Sequence, residues 1–86
     1  MYKVVLSRSF GKELEKKVKN DPKLWARVTK TLILLSRNLK HPSLRLHKLS
    51  GRDNWSVSVS ESYRIIFNIE GGNLYCTKFG THEQVY

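Results

Sequence analysis

The spacing of the apolar residues changes at Pro42, and this change divides the chain into two kinds of structure. Before Pro42, apolar residues recur every three or four positions, which is the period of an amphipathic helix. After it, they alternate with polar residues, which is the period of a half-buried strand. Proline lacks a backbone N–H and disfavours a helical residue before it, so the helical part should end at about Lys40 or His41.

Two helices are predicted in the first half, after a short strand at residues 2–6. Ser7 or Ser9 suits the N-cap of the first helix. Asp21 and Pro22 start the second, because aspartate caps a helix and proline at the first helical position loses no hydrogen bond. The expected core-facing positions are Phe10, Leu14 and Val18 in the first helix and Leu24, Trp25, Val28, Leu32, Leu35 and Leu39 in the second.

Ile33 and Leu34 fall outside the core-facing arc of the second helix. They either border a wide core or form part of a surface that binds a partner, and the sequence leaves both interpretations open.

Four strands are predicted after Pro42. They begin with the alternation at residues 44–49, continue through 55–60 and 63–69, and end at 74–79 after the hairpin pair Gly71-Gly72. The predicted order is β-α-α-β-β-β-β, an α+β fold with two N-terminal helices packed on a twisted antiparallel sheet. The first strand should join this sheet, since its backbone groups need partners. Residues 1–86 are expected to form a single domain.

The charge of the chain indicates a polyanionic partner. The 86 residues include 16 Lys and Arg against 7 Asp and Glu, a net charge of +9. The charge is uneven, because residues 1–52 hold 14 basic and 3 acidic residues (+11), whereas residues 53–86 hold 2 and 4 (−2). The first half therefore predicts a basic surface, and Arg64 is the only arginine of the second half.

Several classes of protein are excluded by the residue inventory. Cys76 is the single cysteine, which excludes an intramolecular disulfide framework and a cysteine-based zinc finger. The three histidines lack the spacing of metal ligands, and no glycine-rich phosphate loop is present, so neither a metal nor another cofactor is expected. No apolar run reaches the ~18 residues of a membrane span, and no signal-peptide segment is evident. A soluble, reduced protein of the cytoplasm is expected.

Cationic and imidazole side chains form the remaining candidate for chemistry. Cleavage of RNA through the ribose 2′-hydroxyl needs a base, an acid and a cation at the phosphate, and it needs no metal because the substrate carries its own nucleophile. Structural alternatives exist as well: Arg64 could pair with Glu61 or Glu70, and the other candidate side chains could simply be exposed or solubilising. His41, just before Pro42, is interpreted as a helix-end residue. The candidates are Arg45, His47, Lys48, Arg64, His82 and Tyr86.

Four stretches of the sequence resemble the RelE/YafQ/YoeB group of bacterial toxin–antitoxin toxins: HPSLRLHKLSG, WSVSVS, YRIIFNIE and the tail GTHEQVY. The resemblance implies a RelE-like fold over the full chain and a small, metal-independent endoribonuclease. Most members cut mRNA in the ribosomal A site and so inhibit translation. It also implies a cognate antitoxin that blocks the toxin, with binding of operator DNA only through the antitoxin complex.

The resemblance assigns roles residue by residue. Arg64 matches an arginine at the scissile phosphate, His82 a tail histidine that acts as acid or base, Tyr86 a terminal aromatic that positions the substrate, and His47 a strand histidine. The chain departs from YafQ-like members in two respects: they have a histidine where this chain has Ser58, and an Asp-Trp pair in place of Ser62-Tyr63. The general base is therefore either His47 or His82. The residues expected to bind RNA are Arg45, Lys48, Arg52 and Lys78.

Two other functions compete with the ribonuclease. ParE-like proteins of the same fold inhibit DNA gyrase by binding it, and fold alone does not separate the two activities. A binding inhibitor has no need for His47, Arg64 and His82 together, which favours the ribonuclease. The departures at Ser58 and Ser62 are compatible with a third function, a catalytically degenerate toxin that still binds its antitoxin.

Overall fold

The computed structural model describes residues 1–49 and 53–85, in which five strands form one sheet with two helices on one face. The predicted α+β class and element order are confirmed. A single 3-10 turn, Pro42–Leu44, and a short C-terminal helix are added to the predicted order. The elements are β1 (Lys3–Leu6), α1 (Arg8–Val18), α2 (Pro22–Arg37), β2 (His47–Lys48), β3 (Asn54–Ser58), β4 (Tyr63–Glu70), β5 (Asn73–Thr81) and α3 (His82–Val85).

The sheet is mixed, with strand order β1-β5-β4-β3-β2. Strands β2 to β5 pair antiparallel as predicted, but β1 runs parallel to β5, with Val4 opposite Leu74. Parallel neighbours need a long crossover connection, and the chain segment that leads from β1 to the other strands contains both long helices. The first strand of the chain thus pairs with the last one.

Both long helices begin at the predicted capping residues. The backbone N–H of Phe10 donates to Ser7 Oγ at 3.0 Å, so Ser7 rather than Ser9 caps α1. The N–H of Leu24 donates to Asp21 Oδ1 at 3.0 Å. Helix α2 ends at Arg37, a few residues before the predicted end, because the chain leaves the helix at the C-cap Asn38.

The core lies between the helices and one face of the sheet. Phe10, Leu24, Val28 and Leu35 are buried as predicted, but Trp25 is 51% exposed, so the prediction for this residue is wrong. Thr31 is buried instead, and its hydroxyl donates to the carbonyl of Arg27 at 2.8 Å. That bond satisfies the buried hydroxyl. The buried residues of α2 are at positions 24, 28, 31 and 35, an arc whose centre lies about 90° around the helix from Trp25. The sheet contributes Val57, Ile65, Phe67, Leu74, Cys76 and Phe79.

The strand predicted at residues 44–49 is largely replaced by other structure. Leu44 reaches the core from the 3-10 turn, and His41 caps this turn by accepting the N–H of Ser43 at 3.2 Å on Nδ1. Arg45 follows in the left-handed region, at a φ of 48°, which interrupts an extended chain. Strand β2 is consequently limited to His47 and Lys48.

A β-bulge in β5 decides which residues face the core. Ile66 lies opposite Lys78 and Phe67 opposite Cys76, so Thr77 is an extra residue on β5. Because successive strand residues face opposite sides, one extra residue reverses the alternation. Cys76 and Phe79 therefore both face the core, and Lys78 faces the other side.

Cys76 should resist thiol reagents until the protein unfolds. Its side chain is fully buried, and burial raises the pKa of the thiol from 9.0 to about 12, so almost no reactive thiolate exists at pH 8. Alkylation measured by mass spectrometry should be complete in denaturant and absent over the same interval in buffer. The unfolded thiol ionises first as the pH rises, so this group's contribution to stability should be lost between pH 9 and 12. Rapid labelling of the folded protein would contradict the burial.

Candidate functional site

Two rows of residues occupy the sheet face opposite α1 and α2, here called the polar face. Their side chains share one face because paired residues on neighbouring strands point the same way. The first row consists of Ser58, Arg64 and Gly80, and the second of His47, Ser56, Ile66 and Lys78.

Arg64 is half-buried on the central strand β4, and its guanidinium is directed along the sheet. Its Nε–H donates to Ser56 Oγ at 2.6 Å. Ser56 is fully buried and lies in the second row, diagonally across from Arg64. The bond therefore draws the guanidinium from its own row towards the row that contains His47 and Lys78.

His47 and Lys78 stand at the two ends of the second row, and both are exposed. Three strand spacings separate them, about 14 Å between their backbones. Arg64 reaches towards the middle of this row. The sheet thus brings three of the predicted site residues, His47, Arg64 and Lys78, onto one surface that combines imidazole, guanidinium and ammonium groups.

Lys48 lies on the other side of the sheet from the polar face, and Arg45 lies outside the two rows. Lys48 is opposite Trp55 on the other side of the sheet, and its Nζ lies 5.7 Å from the centre of the Trp55 ring, a cation–π contact. Arg45 is exposed at the end of the 3-10 turn, before β2. Arg52, the remaining residue expected to bind RNA, lies outside the described residues.

Helix α3 packs against β4 and β5 and begins at His82, two residues after Gly80 of the first row. His82 is exposed at the first position of α3, and Val85 is buried. Gly80 is what allows the close approach, since a Cβ added there would lie 3.3 Å from Val85 Cγ1 and 2.8 Å from Gln84 Oε1. Tyr86 lies outside the described residues, so its predicted role stays a prediction.

The tail contains a capping box that the sequence analysis missed. The N–H of Thr81 donates to Gln84 Oε1 at 2.9 Å, and the N–H of Gln84 donates to Thr81 Oγ1 at 3.4 Å. This reciprocal pair is typical of a Thr-x-x-Gln helix start, so the spacing was readable in the sequence. It fixes the first turn of α3, and with it the backbone of His82. Ser56, by contrast, had no recognisable pattern in the sequence.

We expect Gly80→Ala to loosen α3. The new methyl group would displace Gln84, whose Oε1 and Cβ lie 2.8 and 3.1 Å from its position, and so break the capping box at a cost of about 1 kcal/mol. Hydrogen exchange of the Gln84 amide should become faster, and the melting temperature should fall by about 4–8 °C. Gly72→Ala is the matched control, because no atom lies within 4 Å of its added Cβ. Equal effects of the two substitutions would contradict the close approach.

The positions that depart from YafQ-like members have structural contacts in this chain. Ser58 Oγ donates to the carbonyl of Ser60 at 2.9 Å, within the β3–β4 connection. The N–H of Ser62 donates to Ser60 Oγ at 3.3 Å. Tyr63 points to the core side, where its ring stacks on Phe79 with centroids 5.4 Å apart. These residues shape the connection and the core beside Arg64.

Residues 1–49 and 53–85 contain no group of three or more His, Cys, Asp or Glu residues that is placed to hold a metal ion. The helices in the same ranges are too short or too polar to cross a membrane.

The fold is shared with solved structures of bacterial toxins. A metal-bound toxin from Helicobacter pylori superposes with a TM-score of 0.82 at 21% identity, over 100% of both chains. A chain of the Escherichia coli DinJ–YafQ complex gives 0.76 at 20%, over 100% of this chain and 99% of that one. A chain of the heterotetrameric YoeB–YefM toxin–antitoxin complex from Staphylococcus aureus gives 0.78 at 15%, over 95% and 98%. No protein-family model and no curated protein sequence matches the chain.

These similarities define the class of fold as that of the small toxins of toxin–antitoxin systems. Within that class, the neighbours include YafQ and YoeB, so the RelE/YafQ/YoeB-like fold implied by the strand and tail sequences is confirmed.

Proposed function

We propose that this protein is the toxin of a type II toxin–antitoxin pair and that it cuts mRNA on the ribosome, thereby inhibiting translation. The observation that carries this proposal is the position of Arg64, which is held on the polar face between His47 and Lys78 in a fold shared with YafQ and YoeB toxins. Cleavage through the 2′-hydroxyl requires a positioned cation and acid–base groups, and the imidazoles of His47 and His82 are candidates for those groups.

Arg64 would stabilise the negative charge that develops on the scissile phosphate. Cleavage also needs one group to remove the proton of the 2′-hydroxyl and another to protonate the leaving 5′-oxygen. His47 and His82 are the two candidates, and either assignment fits their exposed positions at the second row and at the start of α3. Tyr86 would position the substrate, and Lys78 would bind the RNA backbone.

The basic helices would supply most of the attraction to ribosomal RNA and to an antitoxin. Their exposed cations are Arg8, Lys12, Lys16 and Lys19 on or after α1, and Lys23, Arg27, Lys30 and Arg37 on α2. Lysines and the exposed Trp25 line a groove between these helices. An acidic antitoxin segment with an apolar side would complement this surface, and Ile33, which is 49% exposed, could extend the contact. Operator DNA would be bound only by the toxin–antitoxin complex.

A translation reaction with a reporter mRNA tests the proposal. The purified protein should stop protein synthesis, and primer extension should locate cuts within translated codons. Cuts should disappear when ribosomes are omitted or when the start codon is removed. His82→Ala and His47→Ala should each reduce cutting without unfolding the protein, and the larger loss identifies the residue that limits proton transfer.

Intact mRNA at inhibitory protein concentrations would refute the proposal. Gyrase-linked DNA breaks under those conditions would support a ParE-like inhibitor instead, and normal growth of cells that produce the folded protein would support a degenerate toxin. A co-purifying small acidic protein that restores growth would support the antitoxin partner in all three cases.

A further inference from the structure

We infer that Ser56 is a positioning residue for Arg64, setting the direction in which the guanidinium meets a phosphate. This inference deepens the proposed function and rests on it for its catalytic consequence. The contact itself is independent of any activity.

The burial of Ser56 calls for an explanation in the sequence context of β3. Its neighbours Val57 and Ile66 are buried apolar residues, so the packing around position 56 does not by itself require a hydroxyl. A buried hydroxyl is costly unless it is hydrogen-bonded. The hydroxyl accepts the Nε–H of Arg64 at 2.6 Å, so its position in the sheet is coupled to the arginine.

The hydrogen bond to Ser56 orients the guanidinium because its donor is Nε of Arg64. The guanidinium is planar, so a hydrogen bond at Nε fixes both the rotation of the plane and the direction of the terminal Nη groups. A flexible arginine on an open sheet would have to be ordered each time a substrate binds. A guanidinium that is already oriented gives its charge to the transition state without that reorganisation.

Ser58 provides an internal contrast. It is the direct cross-strand neighbour of Arg64, whereas Ser56 is the diagonal one. Its hydroxyl nevertheless donates to the carbonyl of Ser60 at 2.9 Å, within its own connection. The two serines lie on the same strand and face, but the hydroxyl of Ser56 accepts a hydrogen bond from Arg64 whereas that of Ser58 donates to Ser60. Ser58→Ala is therefore a matched control for Ser56→Ala.

The contact is tested by nuclear magnetic resonance of the arginine side chains. The Nε–H signal of Arg64 is assigned from its disappearance in Arg64→Lys. In the unaltered protein its exchange with water should be slow, and Ser56→Ala should speed it by at least about tenfold because the acceptor is lost. Ser58→Ala should leave the rate unchanged. An unchanged rate in Ser56→Ala, with the fold intact by circular dichroism, would overturn the inference.

The catalytic consequence is tested by ribosome-dependent cleavage. Ser56→Ala should lower kcat by about tenfold with a smaller change in KM, because orientation matters most in the transition state. In an Arg64→Lys background the same substitution should have less than a twofold effect, because lysine has no Nε–H to orient. An equal loss in both backgrounds would show a merely structural role and overturn the inference.

The two measurements separate this inference from the proposed function. If the unaltered protein cuts no RNA while the Arg64 Nε–H exchanges slowly and depends on Ser56, the proposed function fails and the contact stands. If cleavage occurs but Ser56→Ala matches Ser58→Ala in both measurements, the proposed function stands and the positioning role fails.

Discussion

Replacing Arg64 with alanine is expected to reduce RNA cleavage by at least about 100-fold, which is the usual loss when one preorganised group at a developing charge is removed. The side chain is half-buried on the sheet surface and outside the main core, so the variant should remain folded. Its loss removes a hydrogen bond to a charged group, worth about 1.5–3 kcal/mol, which a domain of ordinary stability tolerates. Single-turnover primer extension, together with a thermal melt, measures both effects.

Lys30→Ala is the control for a simple loss of charge. Lys30 is exposed on α2, on the opposite side of the molecule from the polar face, so its removal should weaken RNA attraction only by a few-fold. The cleavage rate of Arg64→Lys should lie between those of Arg64→Ala and Lys30→Ala, because lysine keeps the charge but lacks the planar guanidinium and its Nε–H bond to Ser56. Cutting by Arg64→Ala at the rate of the unaltered protein would remove Arg64 from the mechanism.

The largest loss of stability is expected from Phe10→Ala. Phe10 is fully buried, and its ring meets Phe79 edge-to-face with centroids 5.8 Å apart. Truncating a phenylalanine in such a core costs about 3–5 kcal/mol, so the melting temperature should fall by about 15–30 °C. Urea denaturation followed by circular dichroism gives the free energy of unfolding.

Trp25→Ala is the informative comparison for Phe10. Both aromatic residues are core positions by sequence pattern, but Trp25 is 51% exposed. Its truncation should cost about 1 kcal/mol at most, despite the larger side chain. A loss of stability from Trp25→Ala as large as that from Phe10→Ala would contradict the observed orientation of α2. A selective loss of antitoxin binding would support the groove between α1 and α2 as a partner surface.

The capping residues and the turns were predictable because they depend on neighbours in the sequence. Asp21 and the Gly71-Gly72 turn each act within a few positions and are confirmed, and of the two candidate caps of α1 the structure selects Ser7 over Ser9. Trp25 was wrongly assigned to the core because it lies at the border of the apolar arc of α2, where periodicity alone does not separate buried from exposed positions. The contacts between α2 and the rest of the core decide this. The strand at residues 44–46 was misplaced because the left-handed conformation of Arg45 is not visible in an alternating pattern.

The same distinction between local signals and long-range contacts applies to the candidate site. Sequence alone nominated His47, Arg64 and Lys78 by residue type and resemblance, and a meander of strands can bring candidate groups onto one face, but the sequence did not show which of them share it. The bulge at Thr77 puts Lys78 on that face, and the register of β3 and β4 puts Ser56 within 2.6 Å of Arg64 Nε. Conversely, Lys48 follows His47 directly and faces the other way, onto Trp55.

The order of the elements, the N-caps of the two long helices and the uneven charge follow from the sequence, because periodicity, proline, glycine and capping side chains act over a few residues. The parallel position of β1 beside β5, the exposure of Trp25 and the hydrogen bond between Arg64 and Ser56 became visible in the folded chain. These features depend on strand pairing and on contacts between residues far apart or diagonal to one another. One extra residue in a strand moves every later side chain of that strand to the opposite face of the sheet. Such a bulge is recognised only from the pairing with the neighbouring strand.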